Sequence, residues 1–295
     1  SFRCLPLCKI FSLKSNISFS YINKLAIPAL IAGIAEPLLS IADTAIIGNV
    51  TTNATESLAA VGIVGTFISM LVWVFGQIRS AISSIVSQYL GANKLNEIKT
   101  LPAQAIAIVV VGSILILLFS YPFAETIFQF YNASGKVLTY CVAYFKIRIL
   151  GFPFSLFVFA VFGVFRGLQN TYYPMIIAII GASLNIVLDY LFVYGFEDVI
   201  PAMHIEGAAL ASVIAQITMA VLSFILLLTK TQISLKIRFP FHPEIKTILV
   251  MIGNLFIRTI TLNVALYLAT SYSTSYGNAH IAAYTIGVNI WLLGA

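Results

Sequence analysis

The chain has 295 residues, 60% of them hydrophobic and only 9% charged, with a mean hydropathy of +1.00. A soluble domain carries about 25% charged residues, so these figures exclude a soluble enzyme, a disordered regulator and a disulfide-knit secreted domain. The net charge of +6 is therefore read as a topology signal before it is read as affinity for nucleic acid.

In chain order, residues 1–24 carry Arg3, Lys9, Lys14 and Lys24 with no acid, and read as a basic cytoplasmic tail or a transit-like leader. Seven long apolar runs follow: Leu25–Ile47, Leu58–Ile78, Pro102–Tyr121, Leu138–Phe165, Pro174–Tyr194, Gly207–Leu228 and Leu249–Thr270. Each is long enough to cross a bilayer, which takes about 20 residues. The second is expected to continue as an amphipathic extension through Arg79 towards Gly91. An eighth run opens at Ile281 and ends with the chain. The runs are continuous rather than alternating, so the fold class is an all-α integral membrane protein and not a barrel.

With the N-terminus placed inside, eleven basic residues fall on the cytoplasmic side (Lys94, Lys99, Arg166, Lys230, Lys236, Arg238 and Lys246 beside the four of the tail) and only Lys136 falls outside. The outer loops collect Glu56, Glu125, Glu197, Asp198 and Glu206. This positive-inside distribution accounts for the basic balance without nucleic acid. A seven-helix receptor would need the opposite orientation. Three cysteines and three histidines without a close cluster give no support to a metal site.

Leu58-Ala59-Ala60-Val61-Gly62-Ile63 is echoed by Ile281-Ala282-Ala283-Tyr284-Thr285-Ile286, and both follow an outer loop after an in-to-out helix. A six-helix unit is thus expected to begin again near residue 249, with about 150 further residues needed to finish the second copy. The corresponding division is a tail at 1–24, a six-helix lobe at 25–229, a cytoplasmic linker at 230–248 and the start of a second lobe at 249–295.

A charge in mid-bilayer needs a partner, water or a purpose. Asp43 lies four residues before the outer end of its span and Asp189 five before the outer end of its own. Both helices run inside to outside, so the carboxylates share one level in the outer half of the membrane. Asn185 sits one turn below Asp189 on the same face. Burial disfavours the charged form of a carboxyl and a second carboxylate nearby adds to the effect, so this group suits a proton or a cation. No Lys or Arg lies at that level in spans one, five or six. Glu36, near mid-membrane, is either an ion-pair partner of Arg148 or Arg258 or a transport group. Pro28 and Pro37 each remove a backbone hydrogen bond from the first span and offer a hinge.

Several segments resemble the multidrug and toxic compound extrusion (MATE) family, within it the DNA-damage-inducible-F-like (DinF) branch. They are Glu36-Pro37-Leu38-Leu39-Ser40-Ile41-Ala42-Asp43-Thr44-Ala45-Ile46-Ile47-Gly48, Leu58-Ala59-Ala60-Val61-Gly62, Ser87-Gln88-Tyr89-Leu90-Gly91-Ala92 and Phe165-Arg166-Gly167-Leu168-Gln169-Asn170-Thr171. Asn185-Ile186-Val187-Leu188-Asp189 and Gly207-Ala208-Ala209-Leu210-Ala211-Ser212 complete the set in the family's order. The resemblance implies a six-helix N-terminal lobe of a twelve-helix, two-lobe transporter plus the first one to two helices of the second lobe. It also implies antiport of amphipathic or cationic organic compounds against protons by alternating access, with sodium as the alternative ion and no other cofactor. By the same resemblance Asp43, Asn185, Asp189 and Ser212 form the coupling network, although Ser212 stands where Thr is usual and Leu39 where some relatives have Tyr. The sodium branch carries an acid in its seventh helix; Arg258 stands in this one. Expected partners are small organic molecules and the bilayer, in a multi-pass protein of the cytoplasmic or inner membrane that is monomeric at full length. The rivals are a lipid-linked oligosaccharide flippase of the same superfamily and a membrane enzyme; His204, His242 and His280 are isolated in loops, which disfavours the enzyme.

Overall fold

The computed structural model describes residues 18–49, 54–196, 201–231, 233–234, 240–275 and 287; within the helices, the side chains of 35–41, 44, 54, 267, 270, 271 and 273–275 lie outside the description. The described residues are almost entirely helical: α1 Phe19–Gly48, α2 Ala54–Phe75, α3 Ile78–Gly91, α4 Leu101–Ser120, α5 Ala124–Phe130, α6 Gly135–Arg148, α7 Phe152–Gly167, α8 Tyr172–Tyr194, α9 His204–Lys230 and α10 Glu244–Ser275. Among the described residues six helical stretches are long and apolar enough to cross a membrane: Thr55–Gly91, Leu95–Ser120, Gly135–Gly167, Tyr172–Tyr194, His204–Lys230 and Glu244–Leu266. The 30-residue α1 covers the first predicted span, so all seven runs are found as helices. The protein is a multi-pass membrane protein. The second copy of the repeat, at 281–286, lies outside the described residues.

Local chemistry sets the helix ends. Ser18 Oγ accepts from the Tyr21 amide at 3.3 Å and caps α1. Asn170 Oδ1 accepts from the amides of Tyr172 and Tyr173 at 3.1 and 3.4 Å, satisfying two donors that open α8. Gly195 ends α8 with a φ of 78°, a left-handed conformation that costs glycine little.

Two spans that read as single runs are broken in mid-course. The second divides at Gly76-Gln77, and the expected extension to Gly91 is the separate helix α3, whose Ile78, Ala81, Ile82, Ile85 and Val86 are buried. The fourth divides at a 3-10 turn, Ile149–Gly151, between α6 and α7. Pro153, in the first turn of α7, has no N–H to donate to the carbonyl of Ile149, so the α-helical ladder cannot pass through this point. The short helix α5 lies in a loop that the apolar runs left unassigned.

Small residues decide which helices approach closely, because lipid offers no hydrophobic drive towards association. α8 packs along α9, α1 along α8, α3 and α4 against α7, and α2 against α6, while α10 leans on α2, α3 and α4. A Cβ on Gly207 would stand 2.6 Å from the carbonyl oxygen of Phe192 and 2.7 Å from its carbon. Gly207→Ala is therefore expected to destabilise the protein by about 1–2 kcal/mol, the usual cost of overpacking, visible as a lower thermal-unfolding midpoint in detergent.

Candidate functional site

The two ends of α1 and α8 are pinned together. Thr171 Oγ1 donates to the carbonyl of Leu25 at 2.9 Å where both helices begin, and Tyr194 Oη donates to the carbonyl of Ile46 at 2.7 Å where both end. The helices therefore run in the same direction with matched levels. Asp43 and Asp189, placed at one depth by residue counting, do come together. Asp189 is fully buried, Asp43 nearly so, and each carboxyl stands close enough to feel the charge of the other.

The surroundings of this pair are poor in donors. Neither oxygen of Asp189, nor Oδ1 of Asp43, has a hydrogen-bond partner among the described residues. Two ionised carboxylates can only accept, so they cannot satisfy each other. Unpaired polar atoms in such a place are costly.

Asn185 and Ser212 join the site from α8 and α9. Both are buried, and Asn185 Nδ2 donates to Ser212 Oγ at 3.4 Å. This contact depends on the close approach of α8 and α9, where Gly207 meets Phe192 and Gly181 faces Met219. The row Ala208, Ala209, Ala211 and Ala215 on α9 is buried. Ser212→Ala would strip the described acceptor from a buried amide; a loss of about 1 kcal/mol in unfolding free energy is expected.

Two further residues enter from α6. Tyr144 is buried and feels the charges of both acids and of Arg148, one turn along the same helix. The charge of Arg148 also acts on Asp189. Spans one, five and six carry no cation at this level; the cation that acts on the pair, Arg148, belongs to span four. In the sequence reading, Arg148 stands only as a partner for Glu36 and Tyr144 is not included. The available signal was their spacing of four, which puts them on one helix face.

The remaining candidates fall apart from this cluster. Arg258 is exposed on α10, a helix that packs on α2, α3 and α4. The side chains of Glu36 and Pro37 lie outside the described residues. α1 is a continuous helix through positions 28 and 37, with Pro28 half-buried. Among the described residues no group of three His, Cys, Asp or Glu side chains stands close enough to hold a metal ion.

The profile of the MatE family matches residues 28–191, a stretch that contains Asp43, Asn185 and Asp189. DNA damage-inducible protein F of Escherichia coli (strain K12) is 30% identical over 65% of this chain and 40% of its own length. The multidrug export protein MepA of Staphylococcus aureus is 26% identical over 70% of this chain and 45% of its own length. A crystal structure of a MATE protein in the bent conformation superposes with a TM-score of 0.84 at 22% identity, covering 93% of this chain and 60% of that one. The chain thus spans less than half the length of these two curated relatives.

Proposed function

The chain belongs to the MatE family, and from that premise we propose that it forms the first six-helix lobe, and the opening of the second, of an antiporter that exports amphipathic or cationic organic compounds in exchange for protons. The boundaries proposed for these parts are 25–229 for the first lobe, 230–248 for the linker and 249–295 for the start of the second. The N-terminus is proposed to lie in the cytoplasm, a reading that the positive-inside distribution of the basic residues supports.

The observation that carries the coupling is the buried Asp43–Asp189 pair with its unsatisfied oxygens. A proton on either carboxyl supplies the donor that the pair lacks. A cationic group of a substrate relieves the same site by charge. Proton and cation therefore exclude each other, and each is expelled by the arrival of the other. Asn185 and Ser212 hold the α8–α9 side of the site in register, and Arg148 with Tyr144 sets its potential from α6.

Alternating access follows from this competition. With the cavity open outward, a proton reaches the carboxyl pair and neutralises it. α1 then bends at Pro28 and Pro37, where the helix lacks two backbone donors, and the weakened site releases its substrate outward. Return to the inward state delivers the proton to the cytoplasm and exposes the carboxylates to the next cation. The apolar faces of the lobe give permissive contact for varied compounds.

The test is efflux of a fluorescent organic cation from vesicles holding the full-length protein, under a proton gradient alone and under a sodium gradient alone. Efflux driven by protons and not by sodium is expected. Efflux driven by sodium alone would refute proton coupling, and efflux under neither would refute exchange.

A further inference from the structure

Lys146 is a cation of the fourth span that the carboxyl pair does not use. Arg148 is the cation whose charge reaches Asp189, whereas the Lys146 ammonium lies 5.6 Å from the centroid of the Tyr121 ring. Tyr121 directly follows α4, so the lysine head is drawn to the end of the bundle where α1, α4 and α8 end. A lysine within an apolar span reaches the interface in this way, its stem in hydrocarbon and its head at headgroup level. Tyr121, Phe123 and Phe130 are exposed there, an aromatic fringe of the kind that marks the membrane–water boundary.

A cavity of about 420 Å³ opens beside this head, within the size range of small-ligand sites. Leu138, Thr139, Val142, Ala143 and Lys146, at helical spacings of three and four, line it from α6, and Glu125 faces them from α5. Acid and base share the cavity without pairing with each other; the ion pair formed among the described residues is Lys94–Glu97. Glu125 is exposed, and one of its oxygens accepts from Gln129 Nε2, one turn along, at 3.4 Å. The ring contact of Lys146 leaves its three N–H donors for another partner. The hollow thus has an apolar wall, a cation on one side and a carboxylate on the other.

We propose that this cavity binds the zwitterionic head of an aminophospholipid, with its phosphate on Lys146 and its primary ammonium on Glu125. Opposite charges held in one cavity and left unpaired suit a ligand that carries both signs. A primary ammonium donates charge-assisted hydrogen bonds to a carboxylate, which a quaternary choline head cannot do. A purely anionic head would satisfy Lys146 but would meet the like charge of Glu125. Leu138, Val142 and Ala143 offer apolar contact to the glycerol and the first acyl carbons, and the chains continue into the bilayer. Soluble phosphoethanolamine carries the same two charged groups without the chains, so it separates a lipid site from a site for the free head.

The experiment reads the thermal-unfolding midpoint of the full-length protein in a neutral detergent, a readout independent of transport. Phosphatidylethanolamine, phosphatidylcholine and phosphatidylglycerol are added in separate arms at equal mole fraction, and phosphoethanolamine in a fourth. Phosphatidylethanolamine is expected to raise the midpoint by about 3 °C or more above the other three arms, as a ligand that binds only the folded state does. Glu125→Gln, a change at an exposed position, is expected to fold normally and to bring the phosphatidylethanolamine arm down to the phosphatidylcholine level. Lys146→Gln is expected to do the same, and Glu125→Gln serves alone should Lys146→Gln fail to fold. Equal midpoints with the three lipids, or the full preference retained in Glu125→Gln, would overturn the site. An equal rise with phosphoethanolamine would overturn its assignment to a lipid.

Discussion

Asp43→Asn in the full-length protein is expected to lower proton-driven efflux at least about tenfold, while the protein still folds and reaches the membrane. A tenfold change in rate corresponds to only about 1.4 kcal/mol, and the substitution removes more than that from the cycle. The Asn amide supplies the pair with a permanent donor, so Asp189 is satisfied in every state. The site then has no use for a proton and no net attraction for a cation that the proton must displace. Stability is expected to stay the same or to rise, because a repulsive buried contact becomes a hydrogen bond. That combination, lost exchange with retained stability, separates a coupling role from a structural one. Proton-driven efflux in Asp43→Asn at the unsubstituted rate would remove Asp43 from the mechanism.

Gly163→Val is expected to have the largest effect on stability. A single Cβ would already lie 2.6 Å from the Arg79 carbonyl oxygen and 3.1 Å from its Cα. The obstruction is backbone, which cannot rotate away, and Ile82 Cβ closes the remaining side at 3.2 Å. Valine adds two methyl groups, so α3 and α7 must separate. Overpacking usually costs 1–3 kcal/mol and on occasion more; about 3 kcal/mol is expected here, with little protein accumulating in the membrane. Gly112→Val in α4 is the control, since a Cβ there meets nothing within 4 Å. Equal accumulation of the two variants would show that the α3–α7 contact is looser than described.

The sequence made the spans legible because each is a long, uninterrupted apolar run, the strongest local signal a membrane protein carries. The depth match of Asp43 and Asp189 was legible for a related reason. Helical rise is constant, both helices run the same way, and the Thr171–Leu25 and Tyr194–Ile46 contacts keep their ends level. Position around the helix axis was not legible. Tyr144 and Arg148 enter the site because α6 turns that face inward, and nearly all-round apolar helices give little hint of facing. The turn at Ile149–Gly151 was signalled by Pro153 but hidden inside a continuous run. The α3–α7 seam was written in Gly163 and Gly167, yet glycines at this spacing mean something only once a partner helix is known.

The most direct measurement uses vesicles that hold the full-length protein and a pH-sensitive dye. An imposed gradient of an organic cation should drive protons the opposite way, and Asp189→Asn should abolish that movement while leaving the protein folded. A cation flux that moves no protons, or proton movement that survives Asp189→Asn, would contradict exchange at the buried carboxyl pair.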